Sequence, residues 1–350
     1  MTGLTALEIC AGAGGQALGL EQAGFGHAAT VEIDPSACAT LRLNRPGWNV
    51  VEGDVAEVDG RDYRGVDLVA GGVPCPPFSI AGQRLGADDE RDLFPEALRL
   101  IEEAAPRAVL LENVRGLATS KFAAYRADVE FRLHRLGYVT QWQVINASEH
   151  GVAQLRPRFV LTGVLERYAD RLAWPKPQST PPTVGEALVD LMAADGWPGA
   201  FAWRERARGI GPTLVGGSRK HGGPDLGPTR ARAAWAKLGV NGKTLASEPP
   251  TADDSIDLTP ALTVRMAARL QGFPDDWAFF GRKTAAYRQV GNAFPPPVAR
   301  ALGVALSEAL TGTASREAAP PLRERPGSRR LGASAQSFGD VSQALLIKQG

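Results

Sequence analysis

A chain of 350 residues has room for one large domain or two ordinary ones. Its 44% hydrophobic and 22% charged residues are ordinary for a globular protein, and no run of 18 apolar residues is present, which argues against a membrane span. Three cysteines with no close pair, no CxxC and four scattered histidines argue against a disulfide framework or a zinc site; the start, MTGLTALEICAGAGG, does not read as a signal peptide, and a reducing cytoplasm is expected.

The first half alternates short apolar runs with amphipathic stretches. TALEIC (5–10) reads as a strand and QALGLEQAGF (16–25) as a helix ending near Gly24. HAATVEI (27–33) is a strand, and Pro35 suits the first turn of the helix PSACATLRLN. WNVVEGD (48–54) and VDLVAGG (66–72) are strands, and FPEALRLIEEA (94–104) is a helix. RAVLLENV (107–114) is a strand, YRADVEFRLHRLG (125–137) a helix, and YVTQWQVIN and RFVLTGV are strands. This order predicts an α/β fold with a doubly wound parallel sheet. After about Val164 the pattern changes. Residues 174–260 are rich in Pro, Gly, Arg and Trp, and helical periodicity returns at 262–273 and 296–310. From Ala314 the chain reads as a flexible tail.

Charge is uneven although the net is only +1. Residues 201–250 hold nine Lys/Arg against three Asp/Glu, so the rest of the chain carries a small acidic excess. A basic segment of this kind suits a polyanion-facing surface, or equally a solvated loop region.

Three stretches carry chemistry. In CAGAGGQALGL (10–20), Gly12, Gly14 and Ala17 match G-x-G-x-x-A between a strand and a helix. Glu32 lies 20 residues beyond Gly12, at the end of the next strand, where a carboxylate can accept from a ribose diol. Asp54 closes the third strand and is placed to meet an adenine amino group. These residues point to an adenosine-containing cofactor; NAD and S-adenosylmethionine both fit. In GGVPCPPFS (71–79), Cys75 follows the carboxyl end of a strand, where ligands bind in open α/β sheets. Pro74, Pro76 and Pro77 stiffen the loop, and a presented thiol is a strong nucleophile. Glu112, in LLENV, can move a proton beside it. In QLRPRF, Gln154, Arg156 and Arg158 share one face of an extended segment, and Arg158 is suited to hold a carbonyl oxygen or a carboxylate. A plain Glu112–Arg158 ion pair is the simpler reading of those two; convergence of several polar strand ends on one cleft favours function.

These motifs, with VEID (31–34), GD (53–54), RLQGFPDDW (269–277) and GNAFPPPVA (291–299), stand in one order that resembles the DNA cytosine-5 methyltransferases of bacterial restriction–modification systems. The resemblance covers about residues 5–165 and 260–310. It implies a Rossmann-like, S-adenosylmethionine-dependent methyltransferase fold with a smaller target-recognition domain. Residues 1–167 would form the first part of the catalytic and cofactor-binding domain and 168–260 the target-recognition domain. Residues 261–312 would close the catalytic domain, and 313–350 would be a flexible C-terminal tail.

It further implies that Cys75 attacks C6 of a cytosine flipped out of duplex DNA, with Glu112 at N3 and Arg158 on the O2 side supported by Arg156. S-adenosyl-L-methionine would be held by Ala11, Gly12, Gly14, Gly15, Glu32, Ile33, Asp54, Val55, Pro74 and Asn292. Gln83 and Arg84, in a glycine-hinged segment after Cys75, and Arg219, Lys220 and His221, among glycines, would meet double-stranded DNA. The implied setting is a monomer in the bacterial cytoplasm, associated with the nucleoid and genetically paired with a restriction endonuclease. Two departures stand out: Pro76 replaces a common glutamine, and Cys10 replaces a common aromatic residue. Cys10 and Cys38 are expected to be small buried hydrophobes. Alternative readings are a tRNA cytosine-5 methyltransferase, an inactive DNA-binding homologue and an NAD-dependent oxidoreductase.

Overall fold

A computed structural model describes residues 3–74, 92–177, 180–216 and 225–312. The first half builds β1 (Leu4–Ile9), α1 (Gly15–Gln22), β2 (Phe25–Glu32), α2 (Pro35–Asn44), β3 (Val50–Glu52) and β4 (Leu68–Gly72). Then come α3 (Phe94–Ala104), β5 (Ala108–Val114), α4 (Ala123–Arg135), β6 (Tyr138–Asn146), β7 (Gln154–Leu155) and β8 (Pro157–Leu165). The later part is mainly helical: α5 (Val184–Met192), α6 (Ala200–Arg206), β9 (Gly211–Pro212), α7 (Thr229–Lys237), α8 (Val264–Leu270), α9 (Lys283–Asn292) and α10 (Pro296–Thr311).

Seven strands form one sheet in the order β3-β2-β1-β4-β5-β8-β6. The first five are mutually parallel, as their near-continuous apolar runs predict. β8 departs from the expected parallel sheet: it runs antiparallel to both β5 and β6. Only residues 147–156 separate β6 from β8, and that span has no α-helix to carry a crossover.

The period-2 alternation of β1 sorts the core. Leu7 and Ile9 face Phe94, Leu98 and Ile101 of α3 on one side of the sheet. Leu4 and Ala6 face α10, through Val298, Leu302 and Leu306, on the other. Helices α1 and α10 come close because Gly19 lacks a side chain; a Cβ there would lie 2.4 Å from the Pro296 carbonyl oxygen.

A third core joins Val184, Leu188, Trp203, Trp235 and Leu245 to Met266, Phe273, Trp277 and Tyr287. The Pro/Gly-rich middle of the chain therefore shares its packing with the segment that follows it. Helix α5 starts in a capping box between Thr183 and Glu186. Its neighbours α6 and α7 each bury one tryptophan, Trp203 and Trp235. Among the described residues, no helix is long and apolar enough to cross a membrane.

Candidate active site

At the carboxyl edge of β1 the backbone turns sharply. Cys10, Gly12 and Gly14 all have positive φ (51°, 56° and 84°), and Gly14 caps α1 without a side chain. The glycines of this loop divide their work. A Cβ on Gly12 would meet nothing within 4 Å, and Gly12 lines a cavity of about 330 Å³. Gly14 and Gly15 instead admit the end of the chain: a Cβ on Gly14 would lie 2.6 Å from Leu41 Cδ2, and one on Gly15 2.2 Å from the Phe294 carbonyl oxygen. They are not among the residues that line the cavity.

Glu32, at the end of β2, ties the loop together. Its Oε2 accepts from the Gly12 N–H at 2.7 Å and its Oε1 from the Asp34 N–H at 2.7 Å. Burial pushes this carboxyl above its ordinary range, and the two N–H donors oppose that rise. Ala11, Ile33, Asp54 and Val55 line the same cavity. Ile33 is 64% exposed, an apolar face beside two acids.

Pro74, just past β4, also lines the cavity, and its carbonyl accepts from the Leu93 N–H at 3.3 Å. Cys75, Gln83 and Arg84 lie outside the described residues, as do Arg219, Lys220, His221 and the tail 313–350. Glu112, on β5, reaches the cavity from the neighbouring strand end. Arg158 comes from antiparallel β8 and places its Nε 2.6 Å from Glu112 Oε1. Burial pulls the Arg158 guanidinium down from its ordinary value, and Glu112 counters that shift. Asn113 Nδ2 donates to the Val73 carbonyl at 2.8 Å, so the ends of β4 and β5 are pinned side by side.

Arg156 is placed differently from the expectation. It is fully buried and absent from the cavity wall. Its guanidinium donates to the carbonyls of Leu214, Gly291 and Ala293. It sits between β7, which ends at Leu155, and β8, which begins at Pro157, and it feels the charges of Arg158 and Glu112. Arg156 clamps chain segments together behind the cavity.

The closing segment supplies the far wall through Arg288, Gln289, Asn292, Ala293 and Phe294. Arg288 pairs with Asp34 at 3.3 Å, Gln289 accepts from Thr40 Oγ1 at 2.6 Å, and Trp277 Nε1 donates to the Ala13 carbonyl at 3.2 Å. Asn292 is among the lining residues; Arg288, Gln289 and Phe294 were not foreseen, although Phe294 stands inside the GNAFPPPVA motif. Cys38 is buried and its Sγ donates to the Glu32 carbonyl, but Cys10 is only half-buried, at the cavity wall. The reading of Cys10 as a plain core residue is corrected accordingly.

Residues 4–308 match the family model for the C-5 cytosine-specific DNA methylase. The chain belongs to this family. It is 56% identical over 314 residues to the type II methyltransferase M.NaeI of Lentzea aerocolonigenes, covering 89% of this chain and 76% of that one. It is 54% identical over 311 residues to M.NgoMIV of Neisseria gonorrhoeae, covering 87% and 98%. Among solved structures, a DNA modification methyltransferase encoded within an E. coli prophage superposes with a TM-score of 0.62 at 24% identity, covering 88% of this chain and 99% of that one. A DNMT2 mutant from Spodoptera frugiperda gives 0.60 at 16% identity, covering 87% and 99%; both likenesses concern the fold.

The protein is a DNA cytosine-5 methyltransferase of the restriction–modification type, and S-adenosyl-L-methionine is its cofactor. The cavity suits that molecule: the exposed Ile33 face offers apolar contact for an adenine, Glu32 and Asp54 offer acceptors, and Gly12 leaves room at the backbone.

Proposed function

We propose that this chain methylates C5 of a cytosine flipped out of duplex DNA, through a covalent bond between Cys75 and C6. The observation that carries this reading is the meeting of Pro74, Glu112 and Asn292 in the lining of one cavity, with Arg158 paired to Glu112. Ala11, Gly12, Glu32, Ile33, Asp54, Val55, Pro74 and Asn292 hold the cofactor, which supplies an electrophilic methyl group when bound. The Cys75 thiolate adds to C6 while Glu112 hydrogen-bonds N3 and Arg158 the O2 side, so the added electron pair is spread over the ring. C5 takes the methyl group. A base then removes the C5 proton, the C5–C6 double bond re-forms, and the Cys75 sulfur leaves.

The target base leaves the stack, since its C5 and C6 are closed to attack inside a duplex. In this reading residues 168–260 are the target-recognition domain, set between the two parts of the catalytic domain, and Arg219, Lys220 and His221 meet the DNA there. Gln83 and Arg84 meet it from the segment after Cys75. The protein acts as a cytoplasmic monomer on bacterial DNA and protects it from a cognate endonuclease. Duplex DNA carrying 5-fluorocytosine at the target site tests the mechanism. Fluorine cannot leave as a cation, so a stable Cys75 adduct is expected; full turnover without an adduct would remove Cys75 from the nucleophile role.

A further inference from the structure

Leu214 is gripped on both sides. Its N–H donates to Gln154 Oε1 at 2.8 Å, and its carbonyl accepts from Arg156 Nη1 at 2.8 Å. The other end of the same guanidinium donates to the carbonyls of Gly291 (2.8 Å) and Ala293 (2.9 Å). Gln154 Nε2 donates to Gln271 Oε1 at 2.6 Å, and Gln271 Nε2 donates to the Ala293 carbonyl at 2.6 Å. One residue before Leu214, Thr213 Oγ1 donates to the Leu155 carbonyl at 2.6 Å.

Two residues after Leu214 the chain meets the end of α9 with no side chain between. A Cβ on Gly216 would lie 2.4 Å from the Arg288 carbonyl oxygen and 2.8 Å from Asn292 Oδ1. A Cβ on Gly291 would lie 2.3 Å from the Gly216 nitrogen. Arg288 and Asn292 line the cofactor cavity. Residues 214–216 thus run along the back of the cavity wall, fastened to it by backbone contact and by Arg156.

We propose that the Gly216–Gly291 contact, clamped by Arg156, is a specificity-determining joint that fixes where the chain enters its DNA-reading stretch relative to the methyl-transfer site. The proposal rests on the reading that residues 168–260 select the DNA sequence. Gly216 and Arg156 are positioning residues; neither touches the base. A displacement of about 1 Å is enough to spoil positioned chemistry and base contacts, and a backbone-to-backbone seat held by three carbonyl bonds resists that displacement. An added methyl at Gly216 forces the segment off the wall.

The test uses the full chain with Gly216→Ala, and Thr213→Val as a milder change that removes one side-chain hydrogen bond. Tritium transfer is measured into duplexes carrying the preferred site and into duplexes changed at one base pair, together with the KM for S-adenosylmethionine. The ratio of rates, preferred over changed, is expected to fall about tenfold or more in Gly216→Ala and by less in Thr213→Val. The cofactor KM is expected to rise as well, because the added methyl meets Arg288 and Asn292 of the cavity wall, but a merely structural or cofactor-binding defect would slow all sites alike and leave the ratio intact. A folded Gly216→Ala that keeps the wild-type ratio overturns the joint, whatever its overall rate. If Gly216→Ala does not fold, an unchanged ratio in Thr213→Val overturns it. Wild-type protein that labels no duplex DNA contradicts the functional reading itself, a distinct result.

Discussion

Arg158 on β8 holds its Nε 2.6 Å from Glu112 Oε1 on β5, at the edge of the cavity. The contact depends on β8 running antiparallel, which sets Arg158 opposite Val114 and Glu112 opposite Val160. Both side chains are mostly buried, so each is the other's compensation for lost water. Removing one leaves a charge without its partner. Arg158→Ala is expected to lower the methylation rate by roughly 10²- to 10⁴-fold, with Arg158→Lys retaining more because a charge remains. Steady-state rates with cofactor KM measured alongside check this, and a rate within twofold of wild type for Arg158→Ala would contradict the assigned role.

Glu8 predicts a pH effect on stability. It is fully buried on β1, and the Ala17 backbone N–H only partly offsets the loss of water. Burial raises its pKa well above the ordinary 4.5, so the folded state binds the proton more tightly than the unfolded chain. Stability is then fully present below about 4.5 and is lost as pH rises toward the raised folded value. Glu8→Gln, which keeps the shape without the charge, is expected to flatten that loss. Thermal unfolding of both proteins across pH 4 to 9 checks it.

The glycine loop gives two separable outcomes. Gly15→Ala drives a methyl against the Phe294 carbonyl and is expected to destabilise by about 1–3 kcal/mol. Gly12→Ala meets no atom but strains a positive φ of 56° and intrudes on the cavity. Its expected signature is a raised KM for S-adenosylmethionine with a smaller loss of Tm. Calorimetry and cofactor titration of the two variants distinguish them.

The thiols predict selective alkylation. Burial and the nearby Glu32 and Asp54 push the Cys10 thiol far up, and burial with Glu32 pushes Cys38 up to about 12. Neither forms thiolate near neutral pH. Iodoacetamide is expected to inactivate the enzyme by modifying Cys75 first, and S-adenosylhomocysteine with DNA to protect it. Peptide mapping of the first modified site reads this directly.

The strand–helix alternation of the first half was readable because parallel strands buried on both faces are nearly all apolar. The antiparallel turn of β8 was not readable, because it depends on the shortness of the 147–156 connection and not on strand composition. Helices α5, α6 and α7 were hidden by the surrounding Pro and Gly; α6 and α7 each bury one tryptophan, α5 buries Val184, Leu188 and Met192, and all three join a core with residues 266–287, far away in sequence. At the site, the sequence set Glu32, Asp54 and Glu112 at or near strand ends, and all three line the cavity. Gly14 and Gly15 were assigned to ligand contact and Arg156 to the support of Arg158; the structure gives them contacts with Trp277, Phe294 and Gly291, partners that no local pattern names.

The central claim is methyl transfer to cytosine C5 in duplex DNA by way of Cys75. The most direct measurement is transfer of tritium from methyl-labelled S-adenosylmethionine to duplex DNA, with the labelled base identified after digestion, for wild type and Cys75→Ser. Label is expected in 5-methylcytosine for wild type and none for Cys75→Ser. Label confined to tRNA, or transfer that survives in Cys75→Ser, would contradict it.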